Sequence, residues 1–406
     1  MKILVINCHP DNRGDEAAVH AMVDEINSAY PGAEITLAIR GAGTKYPNMP
    51  SNVKMIHQFM PISTKAKIAH KIAVLTSGKI SISSNEKELI SEISKADLVL
   101  HAPGGPSIGD TYYNDEPTYL AIYDLLIAMH KPYMFYAPSM GPFKREERNP
   151  WRKKILENSE AIVLRDPIST KYVRDFVPDK TVSLTLDSAF QHDIDMRQNQ
   201  GKLDQYTELK NFLEKHEKCV GVTITDLTWH PVYSKEPAIT DNIHNAFHEF
   251  LSGLTEAGYG VVFIPQLFGN GNDYDLMRTF CINNNDYFVV SADDEQYDTY
   301  FQQYLISQLY AVIGMRYHSN IFSAKMGTPF ISVSYEQKMK GFMGKMNLTE
   351  YCIDIRDLSV GALETCFKQL IKHYDEYKKY LCSEHDFMKS ESHKTTDILE
   401  TVLAKK

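Results

Sequence analysis

Cysteine is scarce in this chain. The six cysteines among 406 residues are Cys8, Cys219, Cys281, Cys352, Cys366 and Cys382, and no two form a Cys-x-x-Cys pair. That spacing excludes zinc-ribbon and dithiol motifs and fits reduced thiols in a cytosolic protein. Nothing in the sequence suggests a metal or a bound cofactor. Long apolar runs are missing too: none approaches the roughly 18 residues of a membrane span. The opening apolar stretch stops at Asn7, before Cys8, His9 and Pro10, too soon for the core of a signal peptide. The expectation is a cytoplasmic protein that neither spans a membrane nor is secreted. Positive charge is in deficit, with 43 Lys and Arg against 52 Asp and Glu and a formal net charge of −9. That opposes the net basic field of a nucleic-acid-binding protein. No internal repeat of solenoid length is present.

What is present is globular. Apolar residues make up 43% and charged residues 23%, and the length predicts two to three domains at about 150 residues each. Continuous apolar runs alternate with helix-like segments, the pattern of a parallel sheet covered on both faces. Predicted strands are Lys2–Asn7, Glu34–Ile39, Asp97–His101, Pro132–Tyr136, Ala161–Leu164 and Thr181–Thr185. The stretch from Gly41 to Ser84 reads as a helix with irregular flanks. Residues 191–216 turn polar and read as a linker. A second α/β series follows, with strands at Cys219–Ile224, Gly260–Ile264, Tyr287–Val290, Tyr310–Ile313 and Pro329–Val333. The expected fold class is α/β: two Rossmann-like parallel-sheet domains, 1–190 and 217–358, facing a cleft lined by loops at the strands' carboxyl ends. Helices from 359 to 406 complete the chain and are expected to pack back on the first domain.

Each candidate loop follows a predicted strand. Asn12-Arg13-Gly14-Asp15 precedes a helix whose amino end offers N–H groups to an anion, with Asp15 as its cap; an ordinary capped helix reads the same way. Gly104 and Gly105 lie in a glycine loop that lets backbone amides face a ligand, although Pro-Gly-Gly is also a common turn. Ser139-Met140-Gly141-Pro142 follows another strand. Arg165 ends a strand and can clamp a carboxylate or phosphate; the alternative is a surface arginine paired with Asp166. The most informative loop is Gly314-Met315-Arg316-Tyr317-His318. There a helix amino end, a guanidinium fork and a proton-transferring imidazole coincide. Tyr335 and Lys338 follow the next strand, with Lys338 read either as a phosphate contact or as a solvated lysine.

In order, Asn-x-Gly-Asp-x-Ala, the Gly-Gly loop, Ser-x-Gly-Pro, Arg-Asp with a following Ser, Asp187-x-Ala189-Phe190, Arg-x-His, Gly-x-Pro and Tyr-x-x-Lys resemble the polysaccharide pyruvyl transferase family. The match runs from about residue 7 to about residue 345. The resemblance implies a GT-B-like fold with an acceptor side in the first domain and a donor side in the second. It implies phosphoenolpyruvate as the small-molecule donor, itself a substrate, and a saccharide or lipid-linked saccharide acceptor. It also implies His318 as the catalytic acid and Arg165 and Arg316 as donor-binding residues; Asp15 is the next acid–base candidate, and Tyr317 and Lys338 are further candidate donor contacts. The remaining loop residues, Asn12, Gly14, Gly104, Gly105, Ser139, Gly141 and Tyr335, would line the substrates. The chain departs from the pattern at Pro106, where family members often carry a third glycine and where no N–H is available.

The chemistry is coherent, because a net acidic protein binds so dense an anion only through local donors, and ketal formation needs an acid near the methylene carbon. Two rivals share the fold: a nucleotide-sugar glycosyltransferase and a non-catalytic carbohydrate-binding protein. Fold alone does not separate them. The basic run Lys144–Lys154, with Trp151, reads either as a peripheral contact with the inner membrane face or as a solvated helix start.

Overall fold

The computed structural model describes residues 1–41, 45–268, 272–282, 284–291 and 295–405. Two compact units divide the chain: Met1–Pro10, Ala18–His192 and Ser390–Lys406 form the first, and Asp11–Ala17 with Asp193–Lys389 the second.

The first unit is built on a seven-stranded parallel sheet in the order β3-β2-β1-β4-β5-β6-β7. Its strands are β1 (Lys2–Cys8), β2 (Glu34–Ile39), β3 (Val53–His57), β4 (Leu98–His101), β5 (Tyr133–Tyr136), β6 (Ala161–Leu164) and β7 (Val182–Leu184). β1 is buried along nearly its whole length, as a strand covered on both faces must be. Its alternate side chains feed two cores. Leu4 and Ile6 pack with Leu120, Leu125 and Leu126 of the helix Glu116–Ala128. Ile3 and Val5 pack with Val19, Met22 and Val23 of the helix Arg13–Ala29 and with Leu399 and Val402.

The second unit carries a six-stranded parallel sheet, β10-β9-β8-β11-β12-β13. Its strands are β8 (Cys219–Thr223), β9 (Gly260–Phe263), β10 (Tyr287–Val289), β11 (Ala311–Gly314), β12 (Phe330–Ser334) and β13 (Cys352–Asp354). Both sheets are doubly wound and Rossmann-like, and in each the order reverses beside the first strand. The switch points therefore lie between β1 and β4 and between β8 and β11, where such sheets bind ligands at the strands' carboxyl ends.

Three expectations need correction. The 191–216 stretch is not a linker: it holds the helices Met196–Gln205 and Thr207–Lys215, polar because most of their residues face solvent. The stretch read as a helix from Gly41 onward, of which 42–44 lie outside the described residues, contains the edge strand β3 before the helix Thr64–Leu75. Asp11–Ala17 clusters with the second unit although it precedes most of the first.

Leu399 and Val402 seal one face of the first sheet. Leu399→Ala should therefore cost about 2–5 kcal/mol, the range for emptying a buried leucine site. Urea titration of the full chain checks this, with an unchanged midpoint as the contrary result.

Candidate active site

In the second unit the chain turns sharply out of β11. Gly314 is required there, since a Cβ would lie 2.1 Å from the Asn320 side-chain oxygen. Thr223 Oγ1 accepts from the Arg316 amide at 3.2 Å and meets Ser319 Oγ at 2.8 Å. These bonds place Arg316 at the N-cap of the helix Tyr317–Met326 and His318 in its first turn, both nearly buried.

The Arg316 guanidinium donates from Nε to Asp273 Oδ2 at 3.0 Å and from Nη2 to Asp273 Oδ1. Asp273 Oδ2 also accepts from the Gln266 and Leu267 amides, so the carboxylate is itself held rigidly. The Trp229 ring lies 5.0 Å from the guanidinium carbon. Burial works against the Arg316 charge, but Asp273 and Tyr335 hold its pKa above the ordinary arginine value. Burial raises the Tyr335 hydroxyl pKa, with Arg316 opposing. Lys338 pairs with Glu336 at 2.5 Å, and His230 stands 3.4 Å from the same carboxylate. Burial would raise the Glu336 pKa, yet Lys338 and His230 hold it well below the usual carboxylate range. Lys338 is thus a half of a buried ion pair and not a solvated lysine.

The segment 11–17 joins this unit through backbone bonds. Arg13 N donates to Gln266 O at 2.9 Å, and Phe268 N donates to Asp11 O at 2.8 Å. Asn12 Oδ1 accepts from the Gly14 amide at 2.8 Å and the Asp15 amide at 3.4 Å. Asn12, and not Asp15, is therefore the cap of the helix Arg13–Ala29; Asp15 lies in its first turn. Gly14 is pressed against His318: a Cβ there would stand 1.9 Å from the imidazole Nδ1. Asn12, Gly14, Arg316 and His318 thus share the second unit with Tyr335, which bonds to Arg316.

The other expected residues form a group in the first unit. Arg165, at the end of β6, donates to Asp187 Oδ2 at 2.6 Å and to Ser139 Oγ at 3.1 Å. The expected alternative pairing with Asp166 is not made; Asp166 caps the helix Pro167–Phe176 through the Ser169 amide at 2.7 Å. Gly105 has φ +91° and a Cβ there would lie 2.8 Å from the Ser107 amide nitrogen, so this turn needs glycine. Ser139 N donates to Gly104 O at 2.9 Å, which ties the glycine loop to the loop after β5. A Cβ on Gly141 would lie 2.8 Å from the Tyr172 ring. Pro106 follows a cis peptide bond.

Arg148 and Arg152 of the basic run turn inward, while Lys144, Arg145, Lys153 and Lys154 are exposed. Arg152 is buried and pairs with Glu116 and Asp110, each at 2.8 Å, while Arg148 pairs with Glu116 at 3.2 Å and lies over the Tyr113 ring. No helix among the described residues is long and apolar enough to cross a membrane. Among the described residues no group of three or more His, Cys, Asp and Glu side chains forms a metal-ligand set.

Two doubly wound units with charged groups at their strand ends make this a GT-B-like protein, and solved structures share the fold. A UDP-GlcNAc 2-epimerase of Neisseria meningitidis, solved with UDP-GlcNAc bound, matches with a TM-score of 0.59 and 13% identity, covering 100% of both chains. An α,α-trehalose 6-phosphate synthase of Burkholderia multivorans matches with a TM-score of 0.58 and 9% identity, covering 100% of this chain and 98% of that one. The family model for polysaccharide pyruvyl transferases matches residues 12–337, and the chain belongs to that family. The amylovoran biosynthesis protein AmsJ of Erwinia amylovora is 20% identical over 429 residues, covering 99% of this chain and 100% of that protein.

Two stability measurements test the site's construction. Gly14→Ala should cost about 1–3 kcal/mol through overpacking against His318. His318→Ala should relieve that cost, so a double-mutant cycle should give a coupling of about 0.5–3 kcal/mol; additive effects would mean the two do not press on each other. Arg165→Gln leaves the buried Asp187 carboxylate uncompensated and should cost about 3–5 kcal/mol, much of which Asp187→Asn restores. Urea titrations of the two single variants and the double variant read this out.

Proposed function

We propose that this transferase moves the pyruvyl group of phosphoenolpyruvate onto two hydroxyls of one sugar, forming a cyclic ketal and releasing phosphate. The observation that carries the reading is the joint placement of Arg316 and His318 at the end of β11, within a chain of this family. Asp273 occupies the Nε and Nη2 side of the guanidinium and Tyr335 also bonds to it; in this proposal the remaining donors of the fork take an incoming carboxylate or phosphate. The positive end of the helix dipole favours the same anion. In this proposal Tyr317 and Lys338 complete the donor contacts of the second unit, and Arg165 is the candidate anion-binding cation of the first. The Glu336–Lys338 ion pair tempers the role of Lys338, since Glu336 already offsets its charge.

The proposed chemistry balances as follows. His318, as imidazolium, gives a proton to the methylene carbon, and the adjacent carbon becomes an oxocarbenium centre. One sugar hydroxyl adds to that carbon and loses its proton. The bond from carbon to the phosphate oxygen breaks, phosphate leaves, and the second hydroxyl adds. One hydroxyl proton replaces the one His318 gave, and the other departs with phosphate. Asp15 is the second acid–base candidate. The donor is a cytosolic metabolite, so the proposal locates the reaction on the cytoplasmic side, with a free or lipid-linked saccharide as acceptor. The relative's name, a polysaccharide biosynthesis protein, supports a saccharide acceptor.

The decisive experiment is mass spectrometry of candidate glycans incubated with phosphoenolpyruvate, where one added pyruvyl ketal is the expected product. Turnover of nucleotide sugars with no pyruvylation of any glycan would replace this reading with a glycosyltransferase. His318→Ala should lower kcat by roughly 10²- to 10⁴-fold and raise KM for phosphoenolpyruvate far less. Arg316→Gln should act mainly on that KM. Steady-state kinetics on folded variants decides, and near wild-type kcat in His318→Ala would move the acid elsewhere.

A further inference from the structure

Five arginines among the described residues are buried: Arg13, Arg40, Arg152, Arg165 and Arg316. Four of them pair with carboxylates: Arg13 with Glu16, Arg152 with Glu116 and Asp110, Arg165 with Asp187 and Arg316 with Asp273. Arg40 is the exception. It is 7% exposed, and its hydrogen bonds go to neutral oxygens: Thr118 Oγ1 at 2.6 Å, Thr118 O at 3.1 Å and Asn7 Oδ1 at 3.3 Å. Its guanidinium carbon lies 3.6 Å from the centre of the Tyr119 ring. Burial lowers its pKa, and Tyr119 and Asp115 offset only part of that; a buried cation with no direct ion pair is costly, and neutral side chains could tie the same strands together more cheaply.

The position is where a ligand belongs. Arg40 follows β2, and Asn7 and His101 end β1 and β4, so the group sits at the first sheet's switch point. Asn7 holds a left-handed backbone, φ 63°, which is uncommon outside glycine. Its side-chain Nδ2 donates to His101 Nδ1 at 3.0 Å, so the proton of His101 is on Nε2, which donates to Ser107 Oγ at 2.7 Å in the glycine loop. His9 Nε2 meets the Tyr119 hydroxyl at 2.9 Å, and both side chains are partly exposed. Burial, and then the Arg40 charge, hold the His9 imidazole well below its ordinary range; burial, His9 and Arg40 push His101 down to about 3. Both histidines are neutral near pH 7, and Arg40 is the cation of the group.

We propose that Arg40, with His9 and Tyr119 at its solvent side, is an oxyanion subsite for the acceptor, so that the sugar receiving the pyruvyl group carries a phosphate or a carboxylate. Neutral imidazole and phenol hydroxyl groups suit sugar hydroxyls, and the fork of Arg40 suits the oxyanion. This assignment rests on the transferase reading, in which the first unit is the acceptor side.

Calorimetry without phosphoenolpyruvate tests it, using galactose 1-phosphate, glucuronate, methyl galactoside and inorganic phosphate as probes. Wild type should bind galactose 1-phosphate or glucuronate about tenfold or more tighter than methyl galactoside, the scale of one charge-assisted contact. Arg40→Gln should abolish that preference, and Arg316→Gln should leave it. No preference in wild type, a preference that survives Arg40→Gln, or one that disappears in Arg316→Gln would overturn the proposal. In Arg316→Gln, where the donor site no longer competes for the anion, inorganic phosphate binding as tightly as galactose 1-phosphate would overturn it too, since the sugar would then contribute nothing. If Arg40→Gln does not fold, Arg40→Lys replaces it; the anionic probes should weaken several-fold and methyl galactoside should not, and equal weakening of both overturns the assignment. Because the donor is absent, failure to detect pyruvylation leaves this readout intact, and failure here leaves pyruvylation of an uncharged sugar open to detection.

Discussion

The bidentate pairing of Arg316 with Asp273 sets the terms for the second unit. A guanidinium that is almost fully buried needs a counter-ion, and Asp273 supplies it from the side. The carboxylate is in turn locked by two backbone amides. Because the fork is held along Nε and Nη2, its remaining donors are fixed in direction before any ligand arrives, which lowers the cost of ordering them on binding. The turn that follows β11, the helix that carries His318 and the close approach of Gly14 all build outward from that fixed cation. The same device recurs in the first unit, where Asp187 and Ser139 hold Arg165.

Much of this was legible in the sequence because a doubly wound fold concentrates its chemistry where apolar runs stop. β1, β4, β6 and β11 are continuous buried runs, so the loops after them stood out, and with them Arg165, Arg316 and His318. β3 escaped detection because it is an edge strand whose Lys54 and His57 face out, which blurs the apolar signal. The two helices between Met196 and Lys215 passed for a linker for a related reason: few of their side chains are buried, so polarity hid their periodicity.

The partners of the site arginines were harder to read. Asp273 lies 43 residues from Arg316, and Asp187 lies 22 residues from Arg165. Only folding makes them neighbours, and no local spacing announces such a pair. Asp187 stood in a recognisable motif without a role; Asp273 and Trp229 stood in none. Arg40 carries no such signal because what distinguishes it, burial without a direct ion pair, is a property of its surroundings and not of its sequence context.

The assignment of residues 11–17 bears on how such a protein can be taken apart or recombined. A cut at residue 192 looks like the natural seam between two modules. The catalytic candidate His318 nevertheless rests against Gly14, a residue from far earlier in the chain. A fragment that begins at residue 193 would carry His318 with no wall behind its ring. Chimeras that exchange the second half between relatives must therefore carry a matched heptapeptide, residues 11–17, from the first.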